Sequence, residues 1–230
     1  MTTIPGNLQH VRARIATACQ RAGRGVEEVT LLAVSKTFGA DAVRAAAAAG
    51  QRAFGENYIQ EGVEKIAALR DLGLMWHCIG PIQSNKTRLV AEHFDWVHTV
   101  DRLKIAERLS AQRPADRPPL NVCIQVNIDG GANKSGVAPG DALALARAVA
   151  ALPQLKLRGL MSIPEIAPDF EAARAVHASA RALFDQLNAD GLGLDTLSMG
   201  MSDDLEAAIA AGSTTVRIGT AIFGSRAPKP

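Results

Sequence analysis

Aromatic side chains are scarce, at 4% of 230 residues, which excludes an extended base-stacking surface for single-stranded nucleic acid. An excess of charge of one sign is also missing. Lys+Arg 25 against Asp+Glu 23 leave a formal +2, too balanced to draw in a polyanion or an anionic membrane. Cysteine is confined to Cys19, Cys78 and Cys123. An odd, widely spaced set without a CxxC points to a reducing compartment and offers no structural zinc site. No apolar run approaches the roughly 18 residues of a membrane span. The amino terminus MTTIPGNLQH lacks the basic start and apolar core of a secretory signal. The expected setting is the cytoplasm, with no nucleic acid, no membrane and no metal.

What the chain does have is alternation. Leu8, Val11, Ile15 and Ala18 recur at spacings of three and four, an amphipathic helix over 7–22 closed by Gly23 and Gly25. Short apolar segments at 30–37, 52–55, 74–79, 96–100, 120–128, 155–163, 194–199 and 214–219 read as strands. Between and after them lie helical segments at 41–49, 57–70, 84–93, 101–112, 140–151, 168–189 and 202–211. Strands alternating with helices imply parallel pairing through right-handed crossovers. Eight such units in this length predict an α/β fold, a single-domain (β/α)8 TIM barrel over 1–230 with an extra N-terminal helix. An open doubly wound sheet is the alternative, but it wants a GxGxxG turn after its first strand, where this chain has SKTFGAD.

In such a barrel the chemistry gathers where strands run into helices. Lys36 ends the first strand, in TLLAVSKT. It is either an ammonium reaching out to water or an amine held in a pocket, where desolvation lowers its pKa and frees it to form a Schiff base. The turns after the last two strands, SMGMSDDLE and RIGT, occupy the usual phosphate position of these barrels. Ser202 opens a helix there and serves as a plain cap or as a phosphate donor. Gly219 and Thr220 supply close backbone approach and a hydroxyl. Arg217 shares a strand face with Gly219, so it points into the barrel mouth, toward a neighbouring carboxylate or toward a ligand.

These segments, AVSKT at Lys36, FGENYIQE, WHCIGPIQSNK, VNIDGGANKSG, GLMSI, LSMGMSDDLE and VRIGTAIFG, span 29–224 in order. Together they strongly resemble the family of single-domain pyridoxal phosphate homeostasis proteins, the YggS or proline synthetase co-transcribed (PROSC) family. Cys78 stands where the family has an aromatic residue, and the loop before NKSG is short. The resemblance implies a barrel like the amino-terminal domain of alanine racemase, with pyridoxal 5'-phosphate held as a Schiff base on Lys36. It implies that Ser202, Gly219 and Thr220 hold the phosphate, that Arg217 faces the pyridine nitrogen, and that Asn57, His77 and Met161 line the ring pocket.

The expected role is intracellular buffering or delivery of the cofactor, by a monomer that meets apo-enzymes only transiently and has no catalytic residues. An arginine at the pyridine nitrogen accepts no proton, which weakens the electron sink that amino-acid chemistry needs. Racemases of this fold add a tyrosine base from a further β-domain that these 230 residues do not contain. Tyr58 has no reason to stand opposite Lys36. The alternatives are a small racemase-like enzyme dependent on pyridoxal phosphate and, without any cofactor, an aldolase-like barrel with Lys36 as nucleophile. Lys134, in GGANKSG, is a candidate relay for the aldehyde.

Overall fold

The structure is a computed structural model and describes residues 3–131 and 135–225. Eight strands close into a barrel in sequence order. They are β1 (Thr30–Val34), β2 (Ala53–Glu56), β3 (Met75–Cys78), β4 (Trp96–Val100), β5 (Leu120–Gln125), β6 (Leu155–Met161), β7 (Thr196–Ser198) and β8 (Thr215–Ile218). Every pairing is parallel, and closure comes from β8 lying beside β1, Thr30 opposite Thr215 through Ala33 opposite Ile218. The expected TIM barrel is therefore present.

The helices are α1 (Ile4–Arg21), α2 (Ala40–Ala48), α3 (Ile59–Ala68), α4 (Thr87–His93), α5 (Leu103–Gln112), α6 (Ala142–Ala150), α7 (Phe170–Ala189), α8 (Leu205–Ala210) and α9 (Thr220–Phe223). Outward strand residues such as Ala33, Val97, Val122, Val216 and Ile218 form one continuous apolar layer with helix residues such as Val11, Val43, Leu109 and Val149. Burying that layer is the main driving force for the fold. The inner face is different. Its apolar part includes Leu32, Val34 and Ile79, while His77, His98, Gln125, Ser198 and Arg217 are also buried. Barrels usually fill that space with Val, Ile and Leu.

The extra helix α1 is present, with Thr3 as its cap accepting from the Gly6 N–H at 3.3 Å. Arg14 on α1 pairs with Glu206 on α8 at 2.8 Å and donates to the Ser202 carbonyl at 3.0 Å. It thus braces the loop between β7 and α8. Several strands are shorter than the apolar runs that encode them: β1 stops at Val34, β6 at Met161, and β7 keeps three residues. Ladder pairing ends there because the chain turns at the barrel mouth. α8 starts at Leu205 rather than at Ser202, because the Asp204 carboxylate accepts from the Met201 N–H at 2.6 Å and holds the preceding residues as a turn. Among the described residues no helix is long and apolar enough to cross a membrane.

Candidate functional site

A cavity of about 260 Å³ opens at the carboxyl mouth of the barrel. Lys36, Asn57, Ser202, Arg217, Gly219 and Thr220 all line it, with Val34, Phe38, Ile79 and Ile163 as apolar wall. Sequence reasoning thus drew six side chains or backbone segments from four distant parts of the chain, and the fold brings them to one space.

Lys36 stands on a tight turn two residues beyond β1. Its neighbour Thr37 has φ 69, a left-handed conformation that costs a β-branched residue energy. The turn is clamped from below. Lys65 donates to the Ser35 carbonyl at 2.8 Å, to Glu56 Oε1 at 2.8 Å and to Glu61 Oε1 at 2.6 Å. Ser35 Oγ donates to Glu56 Oε1 at 2.5 Å, and the Thr37 N–H donates to Glu61 Oε1 at 2.6 Å. Burial pushes the Glu56 carboxyl above its ordinary range, and the bonds from Lys65 and Ser35 pull the other way. This cluster fixes the backbone on both sides of Lys36.

Asn57 follows β2, and its Oδ1 is buried without a partner among the described residues. The close approach that seats it depends on Gly80, where a Cβ would lie 2.1 Å from the Asn57 carbonyl oxygen. Gly200 turns the chain out of β7 at φ 95, a conformation glycine adopts without penalty. On the far side Gly219 lies bare against β1, where a Cβ would stand 3.3 Å from the Val34 carbonyl.

Arg217 is 5% exposed. Its Nη1 donates to Ser198 Oγ at 2.8 Å and its Nη2 to the Ser162 carbonyl at 2.9 Å. Among the described residues no carboxylate is ion-paired with it, so the salt-bridge alternative is not what the fold builds. Burial pushes its guanidinium down to about 10, and it stays charged at neutral pH. A guanidinium carries five N–H donors. Two of them hold neutral oxygens here, and the group borders the cavity.

Two expected ring-pocket residues lie elsewhere. His77 is not among the cavity's lining residues; it sits inside the barrel opposite Gly55 and Trp96 in register and lines a second cavity at the amino ends of the strands. The apolar run LMWHCI had suggested a strand end, but β3 continues to Cys78 and His77 falls within it. Met161 is fully buried at the end of β6 and does not line the carboxyl-mouth cavity; the next turn offers the Ser162 carbonyl and Ile163 instead. Tyr58 is 53% exposed and also outside the cavity. Lys134 lies outside the described residues.

Sequence reasoning passed over His98 and Ser198. Both are fully buried, and His98 Nδ1 lies 2.9 Å from Ser198 Oγ. A histidine alternating with Val97 and Thr99 inside WVHTV was the available signal. Burial drives the Cys78 and Cys123 thiols up to about 12, so neither is a nucleophile at neutral pH.

The family model for the alanine racemase N-terminal domain matches residues 6–227. The chain is 64% identical over 226 residues to a protein of Pseudomonas aeruginosa named pyridoxal phosphate homeostasis protein, covering 98% of this chain and 97% of that one. Among solved structures it is similar to PipY of Synechococcus elongatus PCC7942, at 40% identity in two forms. The form without PLP aligns with a TM-score of 0.85 over 96% of this chain and 100% of PipY. The form with PLP bound aligns at 0.80 over 91% of this chain and 100% of PipY.

Proposed function

This chain belongs to the pyridoxal phosphate homeostasis family, and from that premise we propose that it binds pyridoxal 5'-phosphate in the carboxyl-mouth cavity, anchored covalently on Lys36. Its role is to buffer or deliver the cofactor in the cytoplasm, as a monomer that meets apo-enzymes transiently and without robust catalysis. The observation that carries this reading is the convergence of the Lys36 amine, the Arg217 guanidinium and the Gly219–Thr220 segment on one small cavity. The donor set fits the group. A phosphate ester wants several N–H and O–H donors, a phenolic oxygen and a ring nitrogen want one each, and the ring wants apolar walls.

The chain's own residues divide the work. Ser202 and Thr220 offer hydroxyls, and the first N–H groups of α9 have no partner within the helix, so the last two strand turns favour a phosphate. Asn57 brings a buried amide to the wall. Val34, Phe38 and Ile79 exclude water from the ring. Arg217 would face the ring nitrogen as a donor and would yield it no proton. The clamped turn holds the backbone at Lys36 in one place, which favours covalent capture by its amine. Bound there, the cofactor supplies an aldehyde that combines reversibly with amines. Among the described residues lining the cavity there is no tyrosine or histidine, and the one carboxylate is that of Asp203; a lining without the racemase-type tyrosine base supports holding over turnover.

The test is an absorption spectrum of the purified protein with pyridoxal phosphate, followed by borohydride reduction and peptide mass mapping. The expected outcome is a visible band in the wild type and the pyridoxyl mass on Lys36, both lost in Lys36→Ala. A protein that stays colourless and unlabelled overturns the reading. Reactivation of an apo-enzyme by the loaded protein tests delivery, and α-hydrogen exchange on alanine in deuterated water tests the absence of racemase chemistry.

A further inference from the structure

A file of buried polar side chains runs through the barrel and is not explained by the carboxyl-mouth cavity alone. It starts at Arg217, whose Nη1 donates to Ser198 Oγ at 2.8 Å. Ser198 Oγ lies 2.9 Å from His98 Nδ1, and His98 Nε2 lies 2.9 Å from His77 Nδ1. None of the four is more than 5% exposed. At the far end His77 and His98 help line a cavity of about 290 Å³ at the opposite mouth, beside Trp96, Arg158 and Asp195.

The file has a direction, because each atom has a limited role. Arg217 can only donate, so Ser198 Oγ accepts. If His98 also donated to Ser198, the serine proton would be left without an acceptor among the described residues. A buried hydroxyl in that state is costly. In the other sense Ser198 O–H donates to His98 Nδ1, which places the His98 proton on Nε2. That proton is donated to His77 Nδ1, which places the His77 proton on Nε2. Every proton inside the file then has a partner. The one atom left over is His77 Nε2, and it is buried without a partner, on a residue that borders the lower cavity.

We propose that Ser198, His98 and His77 are positioning residues for Arg217, a one-way hydrogen-bond file that fixes the guanidinium toward the cofactor's ring nitrogen and ends as an N–H at the amino-terminal mouth. The proposal rests on the cofactor reading of Arg217. Both rings must be neutral for it, since an imidazolium donates from both nitrogens and would break the file. Burial holds His77 down at about 3, and burial, with the neighbouring His77 and Arg217, holds His98 well below its ordinary value. Trp96 stacks on His77 with centroids 5.2 Å apart and planes 9° from parallel, and the Arg158 guanidinium lies over the Trp96 ring, 4.6 Å from its centroid. The last ring of the file is therefore fixed by packing as well as by hydrogen bonding.

Long-range proton–nitrogen NMR of the imidazoles tests the file on the unmodified protein, with and without pyridoxal phosphate. The expected result is the Nε2–H tautomer on both His77 and His98, unchanged from about pH 8 to pH 5. An Nδ1–H tautomer or a titration on either ring in that range overturns the proposal, whether or not cofactor binds. The positioning claim is read from the loaded protein. Ser198→Ala and His98→Leu should each move the absorption maximum, and Ser198→Thr should restore the wild-type position. Variants that take up cofactor with an unmoved band overturn it. A wild type with the expected tautomers that fails to take up pyridoxal phosphate overturns the cofactor reading and the purpose of the file with it, and the tautomers distinguish that failure from the absence of the file.

Discussion

Lys65 and Arg217 are buried to the same depth, 6% and 5% exposed, yet they keep different company. Lys65 is ion-paired with Glu56 and Glu61 and also holds a carbonyl. Arg217 holds one hydroxyl and one carbonyl. A buried charge is tolerated when it is paired and hydrogen-bonded. Lys65 meets that condition within its own cluster and clamps the Lys36 turn. Arg217 meets it only partly, and it borders the cavity in which a ligand would complete its bonding. The same depth of burial goes with a fully paired structural cation in one place and, on the proposed function, with a ligand-binding cation in the other.

Four measurements break or sharpen this comparison. Lys65→Met leaves Glu56 buried beside no cation, so it should cost about 3–5 kcal/mol of unfolding free energy. Urea denaturation at neutral pH measures it, and the folded fraction should take up the cofactor more weakly, because the Lys36 turn has lost its clamp. A loss below about 1 kcal/mol would mean the cluster is not what holds the turn.

The second concerns pH. His77 is neutral in the fold down to about 3, and its ordinary value is 6.5; His98 is shifted in the same direction. Above about pH 6.5 both states are neutral and the stability is complete. As pH falls below that, the unfolded chain takes up protons that the folded chain refuses. Each histidine then removes at most about 1.4 kcal/mol per pH unit. Denaturation at pH 7, 6 and 5 should show the decline, and His98→Leu should make it shallower.

The third is Arg217→Met. It removes a cation that is ion-paired with no carboxylate among the described residues, so it should cost no more than about 1–2 kcal/mol, for the two oxygens that lose their donor. Its larger effect should be on the cofactor's absorption band, and Arg217→Glu, which lets the ring nitrogen take a proton, should move that band further. A stability loss as large as that of Lys65→Met, with the band in place, would reverse the assignment of the two cations. The smallest effect belongs to an exposed pair. Arg44 and Asp71 are 2.9 Å apart but open to solvent, and Arg44→Ala should leave both the midpoint and the band unchanged.

The barrel was legible because its signal is periodic and local. WVHTV over 96–100 became β4 with the same bounds, and the heptad-like spacing from Leu8 to Ala18 became α1. Most of the cavity was legible for a related reason. Lys36, Arg217 and Gly219 sit at or beyond strand ends, and in a closed parallel barrel all carboxyl ends meet at one mouth. His77 and Met161 were placed less well, since an apolar run does not mark where pairing stops, and a shift of one or two residues moves a side chain between the mouth and the interior.

The sequence by itself determined the element order and the parallel topology, because these follow from periodicity; it nominated Lys36, Arg217 and the last two strand turns through their place at strand ends and a family resemblance. Only the tertiary structure decided which buried charges are paired and which are not. Glu56 and Lys65 lie nine residues apart in one segment, but Arg217 meets Ser162 across 55 residues and His98 meets Ser198 across 100. Contacts at such separation depend on barrel closure and register, which no local pattern encodes, and it is they that set the burial and the hydrogen-bond partners of the guanidinium.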